Sequence, residues 1–229
     1  FFVSSFIDSL VDSQSANDCH YIKVKDEGQP AYVVISVGST DFAYTMGKVA
    51  ASQLQNLIVA YKERFDKDNF IKNLLLDNLL LIDIYNRSKK LHIDAGARRI
   101  VFIVEMDAPK KGNEIDMVRS LFADRNTDFV TAVDEKNVVY VRQVEENETL
   151  EEMDKVAHNI TDSLNSSKAT KVRVSYGTII GDLKEVSKSY KEAKAALDVG
   201  EIFFEEKDVV AYSSLGIGRL IYQLPIPLC

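Results

Sequence analysis

Cysteine is nearly absent from this chain of 229 residues. Its two cysteines, Cys19 and Cys229, lie near opposite ends, so no disulfide framework is available and a reducing cytoplasm is the expected compartment. Basic residues are in the minority, 28 against 35 acidic, giving a net charge of −7. That excludes the electrostatic footprint of a nucleic-acid binder, and the chain by itself is not expected to hold DNA. Long hydrophobic runs are missing too. Stretches such as Leu79 to Ile82 are far too short to span a bilayer, and no cationic leader opens the chain, so no membrane partner is expected. There are three histidines. His158 has Asp154 and Asp162 at i±4 on a polar helix face, which reads as a solvated, charge-balanced surface. Cys19 and His20 are adjacent and make a poor chelate. His92 falls near a helix C-terminus, where an imidazole suits the helix dipole. No metal site and no cofactor are expected. The serine-hydrolase, Walker, Rossmann and zincin patterns are all lacking.

What the chain does have is 46% hydrophobic content, enough for one large core or two modest ones. It starts at Phe1 without a methionine and stops at Cys229, so it reads as a fragment of a longer protein. Residues 1–20 read as a helix with Phe2, Phe6, Ile7 or Leu10, and Val11 on one side, followed within that span by a polar loop from Ser13 to Asp18. Tyr21–Lys25 and Ala31–Val37 read as strands of a hairpin around Asp26-Glu27-Gly28-Gln29-Pro30. The second of them, AYVVISV, is apolar on both faces, as a central strand would be. A helix is predicted from Phe42 to about Phe65. On it Ala50, Leu54, Leu57 and Tyr61 step at heptad spacing, with Met46, Val49, Ile58 and Phe65 widening the stripe. Two readings stay open for this stripe: a seam with the same helix of a second copy, or packing on the chain's own sheet.

A charged break at Asp66–Asn69 and a second helix, Asp68–Ser88, follow. Its dense apolar residues (Phe70, Leu74, Leu75, Leu79 and Ile82, with Asn78 among them) predict burial by at least two neighbours. From Arg98 or Arg99 a new domain begins. RIVFIVEM reads as a central strand, and Asn113 as the cap of a helix with Ile115, Val118, Leu121 and Phe122 inward. Thr127–Val133 and Val138–Val144 read as strands around Asp134-Glu135-Lys136-Asn137. Thr149 and Glu152 form a capping box for a helix striped by Leu150, Met153, Ala157, Ile160 and Leu164. Then comes the most informative stretch, Lys171 to Leu224. Val172, Val174 and Tyr176 alternate with polar residues as a strand ending at Gly177. Asp182 caps a helix, with Glu185 as the return half of its box, carrying the stripe Val186, Tyr190, Ala193, Leu197 and stopping at Gly200. A short strand spans Asp208–Tyr212. Gly216-Ile217-Gly218 lacks the spacing of a phosphate loop and is read as a turn into a helix from Arg219 to Leu224.

The segments VSYG, SYKEAKAALDVG and VVAYSSLGIGRLI resemble the GGDEF-like domain of the PucR/CdaR class of bacterial transcriptional regulators, which includes sugar-diacid utilization and purine-catabolism regulators. The resemblance reaches back to about Arg98 and more weakly to about Asp66. It implies a signalling function and no enzymatic one, a homodimer, a small-molecule effector, and DNA contact only through a C-terminal helix-turn-helix domain outside this chain, with Pro225 and Pro227 in its linker. Active cyclases of the GGDEF type need hairpin glycines for close approach of the nucleotide, and acids on the hairpin and the first strand for metal ions. Here the hairpin reads AVDEKNVVYV. Neither glycine is present, and with Val138 in the Phe position the acidic positions hold Lys136 and Asn137. Glu105 and Asp107 in VEMD resemble the metal strand.

The expected fold is α+β. Residues 1–65 close a GAF- or PAS-like sensory domain and its signalling helix, 66–97 form a helical linker, and 98–224 form a degenerate, ferredoxin-like βαββαβ domain with an αβ extension. Residues 225–229 start the linker to the DNA-binding domain. The mechanism implied is allosteric: effector binding near the 21–37 sheet biases the 42–65 helix pair, and the GGDEF-like domain relays the change. No Arg cluster marks a dicarboxylate site, and the effector is not named by the sequence. The alternatives from other classes are a residual nucleotide cyclase and a nucleotide-binding module without turnover.

Overall fold

The computed structural model describes residues 2–106, 114–122, 125, 127–134, 136–165, 171–204 and 206–219. The chain divides into two compact units, Phe1–Asp66 and Lys67–Cys229.

In the first unit, α1 (Phe2–Ile7) precedes three antiparallel strands, β1 (Ser13–Ala16), β2 (Cys19–Asp26) and β3 (Gln29–Val37), in the order β1-β2-β3. The helix expected over residues 1–20 therefore ends at Ile7. The Ser9 hydroxyl bonds back to the Phe6 carbonyl (2.6 Å), and such a local bond competes with helix continuation. The residues read as a polar loop instead form β1 and a tight turn. Asn17 and Asp18 both have φ above +50°, which these two residue types tolerate and a two-residue hairpin requires. Glu27-Gly28 turns the β2–β3 hairpin in the same way. On one face Phe2 and Phe6 pack against Tyr21, with Lys23 Nζ 4.9 Å from the Phe6 ring centroid. On the other, Ile22 and Val24 bury against Ala51, with Val34, Leu54 and Ile58 around them. The strand β3 is not central as expected. Among the described residues it pairs only with β2, and Tyr32, Ile35 and Val37 are exposed. Its apolar residues on both faces reflect composition, not enclosure.

The helix α2 spans Asp41–Leu75 without the break expected at Asp66–Asn69. None of those four residues is Gly or Pro, and charged side chains can stay solvated along a helix. It stops at Leu75. Asp77 takes φ +61°, with Asp77 N–H bonded to Leu74 O and Asn78 N–H to Asn73 O. That is a left-handed C-cap with aspartate in the usual glycine position. The second predicted helix is thus α3 (Leu81–Lys90) alone. It ends in the same motif, with His92 at φ +55° and Ile93 N–H bonded to Ser88 O. Phe70, Leu74 and Leu75 are buried as expected, whereas Leu76, Leu80, Leu81 and Ile82 are exposed.

The second unit is built on β4 (Arg99–Met106), α4 (Glu114–Leu121), β5 (Phe129–Ala132), β6 (Asn137–Gln143), α5 (Leu150–Asn165), β7 (Val172–Tyr176), α6 (Val186–Phe203) and β8 (Val209–Ala211). The sheet order is β5-β6-β4-β7-β8, with β8 parallel to β7 and the other pairs antiparallel. The first four strands have the ferredoxin-like arrangement, βαββαβ with the first strand central. RIVFIVEM is apolar throughout because both faces are covered. Ile100, Phe102 and Val104 join a core with Val118, Met153, Ala157 and Ile160. Val101 and Ile103 join another with Phe70, Leu74, Leu75, Ile84, Val186, Tyr190 and Ala193. At α5 the return half of the capping box forms, Thr149 N–H donating to Glu152 Oε2 (2.7 Å). Asp182 caps a 3₁₀ turn, Leu183–Glu185, before α6, accepting from Lys184 N–H (2.9 Å). Gly200 does not stop α6, which runs on to Phe203. The glycine is needed for closeness instead: a Cβ there would lie 2.9 Å from Val210 Cγ2. Asn113, residues 220–224 and the linker 225–229 lie outside the described residues.

Candidate functional site

Two places are candidates, one in each unit. In the second, the register of the sheet puts Glu105 of β4 directly opposite Asn137 of β6 on one side and Arg173 of β7 on the other. The register therefore places Glu105 beside the hairpin. Asp107 lies outside the described residues. The hairpin itself is closed by Asp134. Its carboxylate accepts from Lys136 N–H (2.8 Å), Asn137 N–H (2.9 Å) and the Asn137 side-chain amide (2.8 Å). Partial burial pushes the Asp134 carboxyl up, but these bonds outweigh it and hold the group below the ordinary aspartate value. The acid is thus engaged in shaping the turn. The β6 residue opposite Glu105 is an amide, Asn137, and not a carboxylate. Among the described residues no cluster of three His, Cys, Asp or Glu side chains could hold a metal ion.

In the first unit a pocket of about 590 Å³ lies between the β2–β3 hairpin and α2, within the range of small-molecule sites. Tyr32, Leu57, Ile58, Tyr61 and Phe65 line it, with Lys62 and Asp26 at its polar side. Lys62 bonds Glu27 (2.8 Å) and Asp26 (3.3 Å), and the bond to Glu27 first, then that to Asp26, holds its ammonium above the ordinary value against desolvation. The cation in the lining is therefore already answered by two carboxylates, and the walls are aromatic and aliphatic.

The predicted seam divides. Leu54 turns toward the unit's own sheet beside Ala51 and Ile58, while Ala50 is exposed, Leu57 is 65% exposed and Tyr61 73%. A four-residue heptad pattern could not separate these faces, because the chain carries two neighbouring apolar stripes on one helix. Two features escaped the sequence reading. One is the pocket, whose Tyr32 comes from a strand expected to be enclosed. The other is Asp128, whose side chain is 2% exposed; it accepts from Tyr140 Oη (2.6 Å) and Gln143 N–H (2.9 Å) and pairs with Arg125 (3.0 Å). Burial, then Asp128, pushes the Tyr140 hydroxyl far up. No motif announces that cluster; it is visible only once β5 is seen to begin at Phe129.

No curated protein matches the chain. Among solved structures, the GGDEF domain of DgcB from Caulobacter crescentus, in complex with c-di-GMP, is similar at 15% identity and a TM-score of 0.40, over 52% of this chain and 78% of that one. A second microbial GGDEF domain, studied for its interaction with cyclic di-GMP, is similar at 15% identity and a TM-score of 0.34, over 51% and 78%. The GGDEF-like domain family matches residues 79–199, more than half of the sequence, and the chain belongs to that family.

Proposed function

We propose that this chain is a non-catalytic signalling module whose GGDEF-like unit holds or relays a nucleotide-type signal without turning it over. The observation that carries this reading is the hairpin Asp134–Asn137. Its aspartate is spent on closing the turn, and on the resemblance to cyclase hairpins Lys136 and Asn137 stand where the acids of a catalytic metal site would be, which supports the absence of turnover and leaves binding to the titration. The test is incubation of the purified chain with GTP and magnesium or manganese, paired with calorimetric titration of GTP and cyclic di-GMP. The expected result is no cyclic dinucleotide above a heat-killed control. Product formation ends the non-catalytic reading. Absence of saturable binding by either nucleotide ends the nucleotide part of it.

A second reading is favoured by the pocket against α2. In it the chain is the effector-sensing and dimerising region of a cytoplasmic bacterial transcriptional regulator of the PucR/CdaR type, with its DNA-binding domain outside this chain. The effector would sit on Tyr32, Leu57, Tyr61 and Phe65, and the exposed stripe of α2 would pair with a second copy. Because Lys62 is neutralised by Asp26 and Glu27, this site suits an uncharged, partly aromatic effector better than a sugar diacid. Thermal-shift screening of purines against dicarboxylates separates the two effector classes.

A further inference from the structure

The second unit has a small polar pocket that neither functional reading uses. It lies at the start of β4 and the end of β6, whereas the degenerate hairpin lies at the other end of these strands. Its volume is about 180 Å³, below the roughly 300 Å³ at which ordinary small-molecule sites begin. Such a space takes an ion or a single charged group, not a nucleoside. Lys67, His92, Asp94, Arg99, Thr127 and Gln143 supply its polar lining.

Arg99 is the unusual member. It is 1% exposed, among the most enclosed large side chains of the protein. A buried guanidinium normally takes a carboxylate in a forked pair. Here two of its nitrogens donate to main-chain oxygens, Nη1 to Ala97 O (3.1 Å) and Nη2 to Asp94 O (2.6 Å). Its Nε has no hydrogen-bond partner among the described residues. Burial lowers the guanidinium pKa from its ordinary value against the opposing charges of Asp94, Asp128 and Asp182, which marks a desolvated cation. A second cation, Lys67, and the imidazole of His92 line the same pocket, against one carboxylate, Asp94. The left-handed backbone at His92 ends α3, so the main chain that carries the imidazole is set by the helix cap.

We propose that this pocket binds a phosphate-sized oxyanion through Arg99, Lys67 and His92. The chemistry is that of a phosphate group, whether inorganic phosphate or the phosphate of a nucleotide. This site is independent of the hairpin and of the pocket in the first unit, and stands or falls separately from either functional reading.

The test is calorimetric titration of inorganic phosphate into the full chain at constant ionic strength, with sodium chloride as the control. Wild type is compared with Lys67→Gln and His92→Asn. Asparagine tolerates the left-handed backbone that His92 adopts, so the second variant keeps the cap while removing the imidazole. Saturable one-site binding is expected in wild type, weakened about fivefold or more in each variant, with unchanged circular dichroism. If one variant fails to fold, the other still decides. No saturable heat from phosphate overturns the proposal, and so does equal affinity in the folded variants. Competition by GMP at equal or better affinity assigns the site to a nucleotide phosphate; phosphate binding without such competition assigns it to the free oxyanion.

Discussion

The side-chain amide of Gln55 takes both main-chain groups of Lys25, accepting from its N–H (2.9 Å) and donating to its carbonyl (2.6 Å). The residue opposite Lys25 in β3 is Pro30, which has no N–H to give, and the register shifts at Val24/Lys25. Gln55 thus acts as a substitute strand residue supplied by α2, tying that helix to the sheet at the one place where the ladder fails. Gln55→Ala leaves two half-buried main-chain groups unpaired. The expected loss is about 1–3 kcal/mol of stability in the first unit, read by urea unfolding. Gln55→Glu keeps the acceptor and loses the donor, so it should fall between wild type and alanine. Equal stability of all three would show that water replaces the amide.

This bond also shows where sequence reading stops. Pro30 announced a turn, and Gln55 is one polar residue among others on the predicted 42–65 helix. Nothing in either residue's local pattern says that they lie across from each other. The second unit was more legible. Alternation in β7, the unbroken apolar run of β4 and the Thr149–Glu152 box each depend on local chemistry, and the structure follows them. Errors cluster where a residue was asked to do one job and does another. Gly200 admits Val210 instead of ending a helix, and Asp66–Asn69 continue α2 instead of breaking it, while Asp77 caps that helix in a left-handed turn that no local pattern announced. At the candidate site, the missing glycines and the placement of Glu105 beside the hairpin were readable. The threefold use of Asp134 was not, because it depends on the exact turn geometry.

Asp134 should titrate below the ordinary aspartate value of about 3.9. A depressed carboxyl stabilises the fold fully above the unfolded value. That contribution is lost as pH falls from about 4 through the lower folded value. Carbon-detected NMR of the Asp134 carboxyl, followed from pH 6 downward, is the measurement. A midpoint at or above the ordinary value would mean that the three turn bonds do not persist in solution. Asp134→Ala should remove the acid-limb contribution and loosen the hairpin, seen as faster amide exchange at Lys136 and Asn137.

Gly177 follows β7 where α6 passes closely. A Cβ there would lie 2.2 Å from the carbonyl oxygen of Ser189. The same serine accepts from Val101 N–H (3.1 Å) and donates to Thr178 O (2.9 Å), so its position is fixed from both sides. Gly177→Ala should cost several kcal/mol, about 3 or more, because backbone must move. Gly181→Ala is the control: its Cβ would meet nothing within 4 Å. Thermal unfolding of the two variants should differ by well over 5 °C, about what a loss of that size implies for a unit of this length. Similar midpoints would show that α6 can shift away.

The last prediction concerns the two stripes of α2. Ala51 is buried against the sheet, whereas Leu57 and Tyr61 of the proposed dimer seam are largely exposed in a single copy. Aspartate at these positions should therefore act in different ways. Ala51→Asp buries an unpaired carboxylate inside one chain and should unfold the first unit, at a cost of several kcal/mol. Leu57→Asp meets solvent in the monomer and should leave folding intact. In a dimer the same change places a charge in the seam of each copy, with about 3–5 kcal/mol lost per unpaired charge, enough to dissociate a complex of micromolar affinity. Sedimentation velocity at tens of micromolar, with circular dichroism as the folding control, separates the cases. A dimeric wild type and a folded, monomeric Leu57→Asp chain support the seam. A monomeric wild type removes it and leaves Leu57 and Tyr61 to the pocket alone. A dimer that survives Leu57→Asp moves the interface elsewhere. The exposed edge of β3 is the first place to look then, since a long, uncharged edge strand offers its free main-chain groups to any second strand.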